Sequence, residues 1–159
     1  LKLNSGSTFE NIVGGSGDNV LTGNSLNNVV IGSGGNDSLF GFGGRDLLVG
    51  GSGTDLFYGG IGDDILVSGT VSYFNEATRT LNKEGIDALM AEWTGLNNYT
   101  TRISNLRNGT GLNGANVLDI GNVLDDAALD TLFGEGDEDW FWLFGGDTAP
   151  DQGGGEQTN

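Results

Sequence analysis

GGSGTDLFYGGIGDDILV (residues 50–67) is one nine-residue phrase written twice. Each half opens on two glycines, carries glycine at its fourth position and aspartate at its sixth, and has an apolar residue at its eighth. Working back toward the N-terminus, the same phrase reads GFGGRDLLV, GSGGNDSLF, GNSLNNVVI and GGSGDNVLT, and in degenerate form from Ser5, SGSTFENIV. The apolar anchor therefore recurs every ninth residue: Ile12, Leu21, Val30, Leu39, Leu48, Phe57 and Leu66. A fixed short period means that one supersecondary unit is stacked repeatedly.

The period is too short for a helical repeat, and its glycines argue against one. Glycine inside a helix costs roughly 1 kcal/mol relative to alanine, and 18 of the 31 glycines precede Thr70. The first six positions of each unit are turn formers, where Gly permits positive φ and Asp or Asn bonds nearby backbone. The last three are enriched in Val, Ile, Leu, Phe and Tyr, a strand signal. Two units then make one coil of a flattened parallel roll, with the eighth positions of both sides pointing inward.

Such a core is thin. Burying one side chain contributes roughly 1.5–3 kcal/mol, against roughly 1–2 kcal/mol of backbone entropy for each ordered residue. A further source of stability is required, and the sixth positions supply it: Glu10, Asn19, Asn28, Asp37, Asp46, Asp55 and Asp64. Units two apart stack, so Asp37 lies over Asp55 and Asp46 over Asp64. Bare carboxylates a strand spacing apart repel; a hard cation between them turns repulsion into a bond, and oxygen ligands with backbone carbonyls suit Ca²⁺.

These units resemble the GGxGxDxUx nonapeptide of RTX (repeats-in-toxin) proteins, a Ca²⁺-binding repeat. GGSGTDLFY and GGIGDDILV match it at every defined position, and the resemblance covers residues 5–67. It implies a parallel β-roll with several Ca²⁺ ions held between turns, about four in the roll, in a protein exported by a type I secretion system. Carried over residue by residue, it pairs Asp37 with Asp55 and Asp46 with Asp64, completed by glycine-turn carbonyls at Gly32, Gly34, Gly41, Gly43, Gly50 and Gly59. It also pairs Asn19 with Asp37 and Asn28 with Asp46, an amide oxygen replacing one carboxylate. A Glu10–Asn28 pair departs from the pattern. Asp18 and Asp63, one position before the ligand, are expected to face solvent.

Charge narrows the function class. The chain carries 22 acidic and 6 basic residues, a net −16, with no Cys and no His. Without cysteine there is no disulfide or thiol chemistry, and without histidine the commonest general base is missing. The acidity excludes the basic footprint of nucleic-acid binding. No apolar stretch reaches membrane-spanning length, and no N-terminal signal peptide is visible. A first residue Leu1 rather than Met suggests a fragment of a longer chain. The charge is uneven: residues 1–67 carry −5, residues 68–112 are neutral, and residues 113–159 carry eleven acids and no base.

The neutral middle reads as helical. Ile86, Leu89, Met90 and Trp93 share one helix face before Gly95, and Leu96, Tyr99, Ile103 and Leu106 share another, with Arg107 and Gly109 as C-terminal signals. The seventh and ninth positions on one side of the roll (Val29, Ile31, Leu47, Val49, Ile65, Val67, with Val13 in line) are apolar and need cover. The helical hairpin, with Trp93 prominent, is expected to pack there; a second copy is the alternative. Beyond it, Val123, Leu132 and Phe141 return to the nine-residue phase, with Asp130 and Asp139 at sixth positions as further metal candidates beside Asp126 and Asp137. Together with AEW (residues 91–93) and the Tyr99, Arg102, Asn105, Leu106 spacing, this part resembles a C-terminal capping region seen after RTX repeats in large secreted proteins.

The expected architecture is all-β with a helical insertion: a parallel β-roll (residues 1–73), a helical hairpin packed on it (74–112), and an α/β C-terminal cap of degenerate repeats (113–159). The glycine-rich end from Gly145 is expected to be mobile, and in the family that region carries the uncleaved secretion signal. The expected function is a calcium-binding module, secreted or at the cell surface. Its Ca²⁺ sites, with dissociation constants of roughly 10⁻⁴–10⁻³ M in extracellular modules, would stay empty in the cytosol and fill outside. Its partners would be calcium ions, the secretion machinery and the upstream domains of a parent chain, with no nucleic acid and no membrane insertion. An adhesive or self-assembly module is the runner-up. A glycosidase built on Glu135, Asp137, Glu138 and Asp139 is the enzymatic rival, disfavoured because these carboxylates crowd one turn.

Overall fold

A computed structural model describes residues 10–159, with side chains from Asn11 onward. The degenerate unit at 5–13 falls largely outside these residues, as does the side chain of Glu10. The chain divides into two compact units, Leu1–Thr70 with Asp125–Asn159, and Val71–Leu124.

The first unit is built from two parallel sheets. One holds β1 (Glu10–Val13), β3 (Asn28–Gly34), β5 (Leu47–Ser52), β7 (Ile65–Val67), β13 (Trp140–Trp142) and β14 (Gln157–Thr158), in that order. The other holds β2 (Val20–Thr22), β4 (Ser38–Gly43), β6 (Leu56–Ile61) and β12 (Thr131–Gly136). The chain passes alternately between them at every turn, so each residue stacks on the one two units away: Val30 on Leu48, Leu48 on Leu66, Leu39 on Phe57. This is the parallel roll that the nine-residue period predicts.

The core is the column of eighth positions. Ile12, Leu21, Val30, Leu39, Leu48, Phe57 and Leu66 form one cluster with Leu132 and Phe141. The last two extend the column because β12 pairs with β6, setting Leu132 on Phe57, and β13 pairs with β7, setting Phe141 on Leu66. Val123, the third residue of that spacing, lies instead in the other unit. The segment after Trp142 departs from the expected mobility. Leu132 N–H donates to the Thr148 carbonyl at 2.8 Å, and β14 pairs in parallel with β13. The open edges of β12 and β13 present unpaired backbone groups, and the tail satisfies them.

The two outer faces differ. Val29, Ile31, Leu47, Val49, Ile65 and Val67 are at most 1 % exposed within a single chain, and the buried line continues through Trp140 and Trp142. On the other sheet the rings of Phe40, Tyr58 and Phe133 stack at 5.0 and 5.3 Å, and Val20, Phe42 and Ile61 are exposed. Phe42 adopts φ 81°, at a second position where most units have glycine.

In the second unit β8 (Thr70–Val71) pairs with β11 (Val123–Leu124), and β9 (Phe74–Asn75) pairs antiparallel with β10 (Thr80–Leu81). Helix α1 (Lys83–Trp93) is capped by Asn82, whose side chain accepts from Gly85 N–H at 3.0 Å. Helix α2 (Tyr99–Asn108) is capped by Asn98, which accepts from Thr101 N–H at 2.9 Å, and ends on Gly109 at φ 67°. Leu96 departs from its expected place on this helix: it lies in the connection, fully exposed, because Asn98 starts α2 two residues later. Arg102 stacks on Trp93 at 4.5 Å and donates to its carbonyl at 2.8 Å. Buried Glu92 accepts from Asn97, Asn105 and Leu112 N–H, tying the helices to the following loop.

Candidate metal centre

The sixth-position aspartates form two hydrogen-bonded ladders, one on each row of turns. Along the first, Asn19 N–H donates to Asp37 Oδ1 (2.7 Å), Asp37 N–H to Asp55 Oδ1 (2.7 Å) and Asp55 N–H to Asp130 Oδ1 (2.6 Å). Along the second, Asn28 N–H donates to Asp46 Oδ1 (2.6 Å), Asp46 N–H to Asp64 Oδ1 (2.8 Å) and Asp64 N–H to Asp139 Oδ1 (2.8 Å). The strand register forces these contacts, since every aspartate of the ladders immediately precedes its strand and Asn28 opens β3.

The second carboxylate oxygen is treated differently. Oδ2 of Asp37, Asp46, Asp55, Asp64 and Asp130 is buried without a hydrogen-bond partner. Leaving an anionic oxygen in that state costs more than a lost neutral hydrogen bond. Burial pushes Asp46 and Asp55 up to about 8, Asp139 up to about 8 and Asp130 up to about 7. It also raises Asp37, and Asp64 well above the usual carboxylate range, the latter with help from neighbouring Asp46 and Asp139.

The orphaned oxygens of Asp37, Asp46, Asp55 and Asp64 each face a pocket that the first glycine of the same turn leaves open; the turn of Asp130 has no glycine. A methyl on Gly59 would stand 2.6 Å from Asp64 Oδ2 and 2.8 Å from the Gly134 carbonyl oxygen. On Gly41 it would collide with Asp46 Oδ2 and the Gly59 carbonyl, and on Gly32 with Asp37 Oδ2 and the Gly50 carbonyl. The cradle is thus one carboxylate oxygen and one carbonyl oxygen from the next coil. Gly34 and Gly43 stand apart from it; their N–H groups bond the Gly15 and Asn24 carbonyls at 3.2 Å.

Asn19 and Asn28 make a different rung. Their Oδ1 atoms accept from Gly15 and Asn24 N–H, and their Nδ2 atoms donate to the carbonyls of Gly17 and Leu26. Asp18 and Asp63 do more than face solvent: Asp18 accepts from Asn36 N–H, while Asp63 accepts from Glu138 N–H and pairs with Arg45 at 3.3 Å. Asp126 and Asp137 accept from Gly53 and Gly62 N–H, so they brace turns. Sequence reasoning passed over Asp147, which extends the first ladder. Both its oxygens are taken, by Asp130 N–H and Phe144 N–H.

Among the described residues no three acidic side chains converge as a metal cluster. A cation here would take single carboxylate oxygens supplemented by carbonyls, an all-oxygen donor set suited to hard Ca²⁺ rather than to a softer metal. The orphaned oxygens and glycine-shaped cradles fit such an ion.

Residues 5–39, 22–57 and 40–70 match the RTX calcium-binding nonapeptide repeat (4 copies). The chain therefore carries an RTX module, a calcium-binding repeat array. No curated protein and no solved structure gave a match.

Proposed function

We propose that this chain is a calcium-triggered folding module that is disordered during type I export and folds outside the cell, stabilising or nucleating the upstream part of a larger secreted protein. The observation that carries it is the set of buried, orphaned oxygens on Asp37, Asp46, Asp55 and Asp64, each facing a carbonyl across a glycine-shaped gap. A bound Ca²⁺ supplies the positive charge that these oxygens lack. We assign ligands to Asp37 with Asp55 at the Gly32 and Gly50 turns, to Asp46 with Asp64 at Gly41 and Gly59, and to Asp64 with Asp139 beyond Gly59. Asn19 and Asn28 act in this reading as self-satisfied starting rungs, the amide NH₂ doing for a turn carbonyl what a cation does elsewhere. With a net −16 and glycine-rich turns, the chain gains too little from apolar burial to order itself unaided. Binding free energy then becomes folding free energy.

Equilibrium dialysis against calcium tests the assignment. The double variant Asp37→Asn, Asp46→Asn should bind two fewer ions than the unaltered chain; equal stoichiometry would remove the aspartate ladder from the account. A second reading, Ca²⁺-dependent adhesion or self-assembly, draws on the exposed Phe42 and Ile61 beside the Phe40–Tyr58–Phe133 stack. Calcium-dependent association that grows with protein concentration would favour it.

A further inference from the structure

One turn of the roll is split. Elsewhere on the first row, one unbroken stretch of chain leads from one sheet to the other. Between β7 and β12, the turn starts at Ser68 and Gly69, gives way to Val71–Leu124, and resumes at Asp125. The two pieces nevertheless rebuild a single rung on the turn at residues 50–55. Gly51 N–H donates to the Gly69 carbonyl at 3.2 Å, Gly53 N–H to Asp126 Oδ2 at 2.7 Å, and Asp55 N–H to Asp130 Oδ1 at 2.6 Å. Regular rungs join residues 18 apart in sequence; across the insertion Asp55–Asp130, like Asp64–Asp139 on the other row, joins residues 75 apart.

The rung shares the buried, unbonded carboxylate oxygen of the unbroken ones. Asp55 is 2 % exposed, and its Oδ2 has no hydrogen-bond partner. It faces the gap at Gly50, where a methyl would collide with Asp55 Oδ2 and stand 2.7 Å from the Ser68 carbonyl oxygen. Ser68 itself is held: its hydroxyl donates to the Trp142 carbonyl at 2.9 Å. Asp130, likewise 2 % exposed, brings a second carboxylate against the Asp55 amide.

We propose that this split rung is a divalent-cation site with Asp55 Oδ2 and the Ser68 carbonyl as ligands from before the insertion and Asp130 as the ligand from after it, so that metal binding clasps the two ends of residues 71–124 together. The inference rests on the calcium ladder proposed above, and adds a residue-specific link between one ion and the base of the helical insertion. A rung without its cation confines two carboxylates with a carbonyl, and the two chain ends separate more readily. The local reporter is the bond just beyond the paired strands β8 and β11, where Ser72 N–H donates to the Asn122 carbonyl at 2.8 Å.

The test is hydrogen exchange with calcium counting on the full chain, comparing Asp55→Asn and Gly50→Ala with the control Asp46→Asn on the other row of turns. Asp55→Asn preserves the shape and the acceptor for Asp37 N–H, so a folded variant is available if the alanine disrupts the turn. The expected result is two ions lost in Asp55→Asn, whose carboxylate serves both the Asp37 site and the split rung, and one ion lost in Gly50→Ala and in Asp46→Asn. Exchange at Ser72 and its strand neighbours should accelerate about tenfold or more in the first two but not in the control. Equal exchange in Asp55→Asn and Asp46→Asn, or the loss of fewer than two ions in Asp55→Asn, overturns the clasp. An unchanged count in Asp46→Asn as well overturns the calcium ladder beneath it.

Discussion

At the scale of a residue, the sixth-position aspartate has two oxygens with separate tasks: Oδ1 accepts the backbone N–H of the coil before it, and Oδ2 is held for a cation. Substitutions should separate the two. Asp46→Asn keeps an acceptor for Asn28 N–H but loses the charged oxygen. It should raise the calcium midpoint for folding roughly tenfold, about 1.4 kcal/mol, while shifting ion-free folding toward higher pH. Asp46→Ala also strands Asn28 N–H, adding a cost of about 1–3 kcal/mol with or without calcium. Calcium titrations of both variants, followed by circular dichroism, distinguish these outcomes. The sixth and eighth positions were legible because each recurs with the period and each has a single physical demand. The split of labour between Oδ1 and Oδ2 was not, since it depends on the register of a neighbouring coil. The positive φ of Phe42, by contrast, was foreshadowed by Gly51 and Gly60, which stand at the same position of later units and share it.

At the scale of the element, a row of turns behaves as a line of coupled acids. Burial raises Asp46 and Asp55 to about 8, against about 3.9 in an unfolded chain. A folded-state pKa above the unfolded one means that stability is fully present below the lower value and lost as pH rises through the higher. The ion-free roll should therefore gain strand content as pH falls from about 8 toward about 4, protons standing in for the cation. Calcium affinity should fall over the same range because protons compete for the same oxygens. Far-ultraviolet circular dichroism of chelated protein across that range measures the first effect; strand content that rises with pH would contradict it. The strands themselves were readable from the repeats, and β12 and β13 from the nine-residue step between Leu132 and Phe141. Val123 misled because a spacing of nine says nothing about an insertion boundary, and the tail misled because its pairing partners lie in β12 and β13 rather than in its own composition.

At the scale of the molecule, charge and connectivity combine. A net −16 opposes compaction, and the ladders concentrate part of that charge where water cannot screen it. Residues 125–159 belong to the same compact unit as the repeats although Val71–Leu124 intervene, so long-range pairing must form before the last coil does. Such non-local closure is entropically costly, and calcium offsets that cost only where rungs are complete. The fold class was legible from one repeat and its neighbours. The division of the chain was legible on its first side, where glycines thin out after Gly69, and less so on its second, because the return to the roll falls inside a turn.

The most direct measurement is a calcium titration of chelator-treated protein at neutral pH, followed by circular dichroism and by fluorescence of Trp93, Trp140 and Trp142, which are at most 2 % exposed in the folded chain. The account predicts a cooperative coil-to-strand transition at calcium concentrations of roughly 10⁻⁴–10⁻³ M, with the tryptophans becoming buried in the same step. A chain already folded without calcium at neutral pH, and unchanged by adding it, would contradict the account and reduce the aspartate ladders to turn chemistry.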